Sequence, residues 1–150
     1  MDTKSSEWSE APELPKGSQL PSAAVCGDEL YVIDGWGKWV YQCFLDELIG
    51  DTKPISSVWS KKADAPYEHT ACASLCGQLV AIGGHRGTSG SETPTINAYD
   101  ADKDSWYEIG KLASGRSHLL VAQLSEDSVV VVGGKGRNGG LLTEIVTGVL

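Results

Sequence analysis

Six residues, Gly134-Lys135-Gly136-Arg137-Asn138-Gly139, spell GxGxxG directly after a valine-rich run. That spacing holds a dinucleotide only when a helix opens there, with an acidic residue about twenty positions further on. Gly140 to Gly148 instead reads as strand, so the expectation is a flexible loop between two strands, with no cofactor. The stretch 83–90 contains no Gly-Lys-Ser/Thr, which excludes a P-loop. Cys72 and Cys76 are spaced for one face of a strand, but no second Cys/His pair completes four metal ligands. Ser, His and Asp are all present, with no spacing that builds a triad. His69 and His118 precede similar runs and read as hydrogen-bonding structural residues; His85, in a glycine-rich loop, reads as exposed. No catalytic residue and no metal ligand is assigned, and the chain is not expected to be an enzyme.

Charge and composition narrow the partners. Twenty acidic against twelve basic side chains leave a net charge of −8. Phosphate backbones and anionic lipid need clustered Lys and Arg, so neither nucleic acid nor membrane is expected as a partner. The longest apolar run, Val129 to Val132, is far too short to span a bilayer. Met1 to Glu10 is polar and lacks the pattern of a secretory leader, and N-x-[ST] is absent. A reducing, cytoplasmic setting is expected, with Cys26, Cys43, Cys72 and Cys76 free and acting as small hydrophobes.

What must position these residues is a repeat. Three runs end on glycine: Leu30 to Gly35, Leu79 to Gly84 and Val129 to Gly134, their last glycines 49 and 50 residues apart. Trp8, Trp59 and Trp106 precede those glycines by 27, 25 and 28 residues. Each glycine-ended run follows a short strand-like run and a polar turn (Ser22–Gly27, Thr70–Gly77 and Leu119–Leu124 open them), which makes a hairpin. A third strand is expected at Trp39 to Leu45, Thr95 to Asp100 and Leu142 to Thr147. A fourth carries the tryptophan, at Ser56 to Ser60 and Asp104 to Ile109. Apolar residues at helical spacing are missing, so helix has no support.

A four-stranded unit of about fifty residues must be covered by its neighbours, the physics of radial repeats. In this the chain resembles the kelch-repeat family, whose β-propeller blades have that period. Repeat two carries the likeness best: Gly83-Gly84, then Tyr99-Asp100, then Trp106. Repeat three keeps Arg116-Ser117-His118 and Gly133-Gly134; repeat one is degenerate, with Asp34 where the first glycine of the pair would stand before Gly35. The resemblance implies an all-β fold, a kelch-type propeller segment of about three antiparallel blades. Its divisions are a flexible 1–7, a lone fourth strand at 8–12, repeats at 18–62 and 67–112, and 116–150 lacking its last strand. The paired glycines serve left-handed backbone or close approach, and the tryptophans wedge between blades with the indole N–H on a carbonyl.

Three blades are too few for a ring, since propellers typically have four to eight. Either the chain is a piece of a longer kelch protein, or a homodimer completes a six-bladed ring through the Trp8 strand. Function then falls to the loops at one end: Gly35 to Lys38, His85 to Pro94 and Lys135 to Gly140, joined by Ala11 to Gly17, Lys61 to Tyr67 and Lys111 to Gly115. They present Trp36, Tyr67, Arg86, Lys135 and Arg137, the composition of a protein-recognition face, with an acidic peptide as the expected ligand. The resemblance leaves a scaffold or substrate-recognition part as the expected role. An oxidase, a sugar-processing propeller and a non-functional fragment are the alternatives.

Overall fold

The computed structural model describes residues 8, 10–49, 58–87 and 91–149. Strands β1 Ser22–Cys26, β2 Glu29–Ile33, β3 Val40–Phe44 and β4 Ser60–Lys62 form one antiparallel sheet in chain order. β5 Ala71–Leu75, β6 Gln78–Ile82, β7 Thr95–Asp100 and β8 Ser105–Lys111 form a second in the same order. The third has three strands, β10 Leu120–Gln123, β11 Ser128–Val132 and β13 Ile145–Val149; β9 Arg116–Ser117 pairs with β12 Lys135–Gly136 at its loop end. The fold is thus all-β, three successive blades of a propeller type.

Local chemistry sets the turns. Cys76 and Gly77, the two central residues of the β5–β6 hairpin, both have positive φ (50° and 75°), the geometry that suits the right-handed twist of paired strands. Cys76 is therefore an exposed turn residue, whereas Cys72 is buried within β5. The expectation that both lie on one strand face is corrected by that turn.

β6 shows why the blades stack. Leu79 and Ala81 belong to a core with Tyr31, Ile33, Val40 and Tyr99, between blades 1 and 2. Val80 and Ile82 point the other way, into a core with Leu75, Ala98, Val129 and Val131 between blades 2 and 3. A strand alternates its side chains between faces, so an unbroken apolar run means cover on both.

Several boundaries differ from expectation. One short helix, α1 Leu45–Ile49, continues β3, where no helical spacing was legible because a single turn is too short to show any. β13 lies further along than Leu142–Thr147, since Leu142 and Glu144 are used in bonds with Gly134 and Gly133. The fourth strands are Ser60–Lys62 and Ser105–Lys111. Residues 50–57, which include the expected Ser56, and 1–7 lie outside the described residues. Trp8 and residues 10–12 form no strand, having no neighbouring ladder in the single chain. No helix among the described residues is long and apolar enough to cross a membrane.

Candidate functional site

In an antiparallel blade, the β2–β3 type of connection and the link to the next blade emerge at one end. That end is held together by the repeat landmarks. Gly83 has φ +64°, and a Cβ there would meet the Arg116 carbonyl at 2.4 Å; Gly84 has φ +120° and lies against Tyr67. Gly133 and Gly134 repeat the left-handed pair one blade on, with φ 57° and 99°. Gly35 has ordinary φ but no room, since a Cβ would sit 2.6 Å from the Leu20 carbonyl.

Asp34 explains the degenerate first repeat. It is buried, and its carboxylate accepts the Gln19 N–H and the Ser18 hydroxyl, both at 2.8 Å, the Trp36 N–H at 3.1 Å, and the Gly37 N–H. Burial disfavours the charge, but these donors outweigh it and hold the carboxyl below its ordinary pKa. A side chain thus organises the loop that glycine geometry shapes in the other repeats. The residue it displays is Trp36, 56% exposed.

Trp36 meets a row of imidazoles. Its ring lies edge-on to His69, centroids 5.0 Å apart, and His69 stacks on His118 at 4.1 Å with 20° between planes. Leu20, His69 and His118 each stand one residue away from the first strand of their blade (β1, β5 and β10), and each has φ near +52°. Non-glycine residues adopt that conformation rarely, and three at equal spacing form a column at the axial mouth. They rim an open pocket of about 410 Å³ between the inner strands, which Ser22 and Thr70 also line. Backbone bonds tie the column: His69 N–H to the Gly35 carbonyl at 2.6 Å, and His118 N–H to the His69 carbonyl at 3.1 Å.

Electrostatics keep the pair neutral at pH 7. Burial lowers the His69 pKa, and His118 and His85 lower it further against Glu68 and Asp34. Burial also lowers His118, with Lys135 and His85 acting the same way and Glu92 opposing. The hydrogen-bonding role expected for both imidazoles holds only in part. His118 Nδ1 meets Ser117 Oγ at 3.0 Å, while the buried His69 Nδ1 has no hydrogen-bond partner among the described residues. Ser117 beside His118 is fully buried, closed to any substrate.

The other expected residues are spread across the same end. Arg86 lies over the Tyr67 ring, its guanidinium carbon 5.4 Å from the centroid, with a 3.4 Å bond to the Tyr67 hydroxyl. Lys135 is exposed on β12, facing Ser117 in register. Arg137 is not brought to the axial mouth; it lines a second cavity of about 430 Å³ with Glu92, Ser114 and Leu141. The GxGxxG stretch is not the loop expected: β12 and a 3-10 turn at Arg137–Gly139, with Asn138 at φ 72°, occupy it. His85 is half-buried, bridging Glu68 and Glu92 as a strand partner.

The remaining landmarks are joints. Trp59 donates its indole N–H to the Pro12 carbonyl and Trp106 to that of Ala63, each at 3.2 Å. Tyr99 donates to Asp104 at 2.6 Å, and Asp104 also accepts the Ala63 N–H at 2.7 Å, clamping blade 2 to blade 1. Arg116, 1% exposed, bonds the Gly133 carbonyl at 3.2 Å and Glu144 at 2.8 Å. The axial column is what residue-by-residue reading missed, and the signal for it was the constant spacing of Leu20, His69 and His118.

Three comparisons bear on this geometry. A family model described as Kelch motif matches residues 66–113, which comprise blade 2 and its flanks. The solved structure of YjhT is similar, with a TM-score of 0.73 at 19% identity. The likeness covers 95% of this chain and 46% of that one, so the chain spans about half the length of its structural relative. No curated protein matches the chain in sequence. The fold is of the kelch-propeller kind.

Proposed function

We propose that this kelch-type segment is a recognition module whose loop end binds a protein partner, in the form of an acidic peptide, in a reducing compartment such as the cytoplasm. The observation that carries the reading is the row Trp36–His69–His118 at the axial mouth, with Arg86 and Lys135 at the same end. A partly exposed indole backed by a rigid imidazole stack offers apolar area at little entropic cost, the property of binding hot spots. Lys135, Arg137 and the Arg86–Tyr67 pair add positive charge to a chain that is otherwise acidic. Arg is suited to carboxylates because its planar fork can donate two parallel bonds.

Binding is favoured over catalysis by the state of the imidazoles. His69 Nδ1 makes no hydrogen bond among the described residues, and the hydroxyl near His118 is buried. The four unpaired thiols, three of them buried, support the reducing setting.

Fluorescence polarisation against a panel of Glu/Asp-rich peptides, with a matched Lys-rich panel, tests the reading. Acidic peptides should bind, and Trp36→Ala or Arg86→Ala should weaken them about tenfold or more, roughly 1.4 kcal/mol. Equal binding of both panels, or affinity unchanged in both variants, would overturn it.

A further inference from the structure

One cavity of the loop end holds two opposite charges that do not pair. It opens between blades 2 and 3, about 430 Å³ in volume, a size that suits a small molecule. Glu92 and Pro94 come to it from the β6–β7 connection, and Ser114 from the link to blade 3. Arg137, Leu141 and Leu142 come from the β11–β13 connection.

Backbone bonds fix both charged residues. The Thr93 N–H bonds the Gly84 carbonyl at 2.9 Å, and Glu92 bridges His85. The link to blade 3 lies directly over that segment, since a Cβ on Gly115 would meet the Glu92 carbonyl at 2.3 Å. Glu92 is therefore only 8% exposed. The other connection turns at Arg137–Gly139, closed by the Gly136 N–H on the Gly140 carbonyl at 2.8 Å, and it leaves Arg137 exposed.

A carboxylate that has given up its water is normally paired or hydrogen-bonded. The Glu92 side chain makes neither contact among the described residues. Arg116, the buried cation of blade 3, is committed to Glu144, Ser114 and the Gly133 carbonyl. Arg137 lines the same cavity but forms no ion pair with Glu92 or with any other described residue. Ser114 accepts from Arg116 and donates to no described residue. The repeat itself does not demand an acid at this place. The Leu142 N–H bonds the Gly134 carbonyl as that of Thr93 bonds Gly84, so the counterpart of Glu92 in blade 3 is Leu141.

We infer that this cavity binds a free, small apolar α-amino acid, its ammonium on Glu92, its carboxylate on Arg137 and Ser114, and its side chain against Pro94, Leu141 and Leu142. An ammonium brings donors to the buried carboxylate, and the guanidinium fork suits the carboxylate of the ligand. A free amino acid supplies both charges at once, whereas either end of a peptide supplies one. Neither Trp36, His69 nor His118 lines this cavity, so the site is separate from the peptide-binding row at the axial mouth.

Isothermal titration calorimetry of the 150-residue chain with L-leucine tests this. Two analogues run beside it: leucinamide, which lacks the carboxylate, and N-acetyl-leucine, which lacks the ammonium. Leucine should bind with a Kd of ~10 µM–1 mM, and each analogue at least about tenfold more weakly. Glu92→Gln should bring leucine down to the level of N-acetyl-leucine, and Arg137→Gln down to that of leucinamide. Both variants should keep the far-UV circular dichroism of the wild-type chain, since glutamine keeps the shape of Glu92 and Arg137 is exposed. No binding of leucine up to about 10 mM, an analogue that binds as tightly as leucine, or affinity unchanged in either variant would overturn the inference. The acidic-peptide reading is tested with other ligands and other variants, so each can fail alone.

Discussion

Asp34 and the His69–His118 pair place charge control at the mouth of the loop end, and both respond to acid in the same direction. Burial keeps each imidazole below its ordinary pKa, so as pH falls through about 6.5 the unfolded chain takes up protons first. Stability from the neutral rings is complete above that pH and is lost as pH falls through the folded values. Asp34 follows in a lower window: its carboxyl is held below the usual value, so its contribution is present above about 3.9 and lost beneath it. Urea midpoints measured from pH 8 to 4 should therefore be flat at first and decline from about 6.5. The double variant His69→Asn, His118→Asn should remove that first decline, asparagine being tolerated at positive φ. A decline unchanged in the double variant would assign it to other groups.

Among the elements, the strand exit at Gly83 and Gly84 leaves no room for a side chain. Gly83 combines left-handed backbone with a carbonyl 2.4 Å from where a Cβ would stand. Gly83→Ala should cost about 2–4 kcal/mol, through strain that the Arg116 backbone cannot relieve. Gly17 is the control: its surroundings are open and its φ is ordinary, so Gly17→Ala should stay within about 0.5 kcal/mol. Chemical denaturation of the two variants side by side checks the contrast. The same scale shows what was legible early. The double glycines, the hairpins and the indole positions follow from local backbone and packing needs, so spacing revealed them. β13 was displaced because its bounds depend on which backbone groups neighbouring loops had already used, and α1 was unseen because a single turn is too short to show helical spacing.

For the whole molecule, the arc of three blades buries its two inner interfaces and leaves its two outer flanks partly apolar. Val25 and Phe44 on blade 1, and Leu120, Leu124, Ile145 and Val149 on blade 3, are exposed. Apolar flanks of this kind favour association, and where copies associate thermal stability rises with protein concentration. Melting followed by circular dichroism should give a midpoint that climbs across a hundredfold dilution series. A midpoint independent of concentration in the wild-type chain would count against association.

The amino-acid sequence by itself determined the repeat: its period, its four-strand unit, its glycine exits and the tryptophans that mark blades 1 and 2. Those are local requirements of φ, side-chain size and alternation, and they are written in nearest neighbours. It also placed Trp36, Tyr67, Arg86, Lys135 and Arg137 at one end, because connection order alone decides the end of a blade. Only the tertiary structure stacked His69 on His118, gave Asp34 its four donors, and separated Arg137 from the axial mouth. Those outcomes depend on how blades turn relative to one another. Residues about fifty positions apart meet there through packing, and chain spacing carries no information about the angle at which they meet.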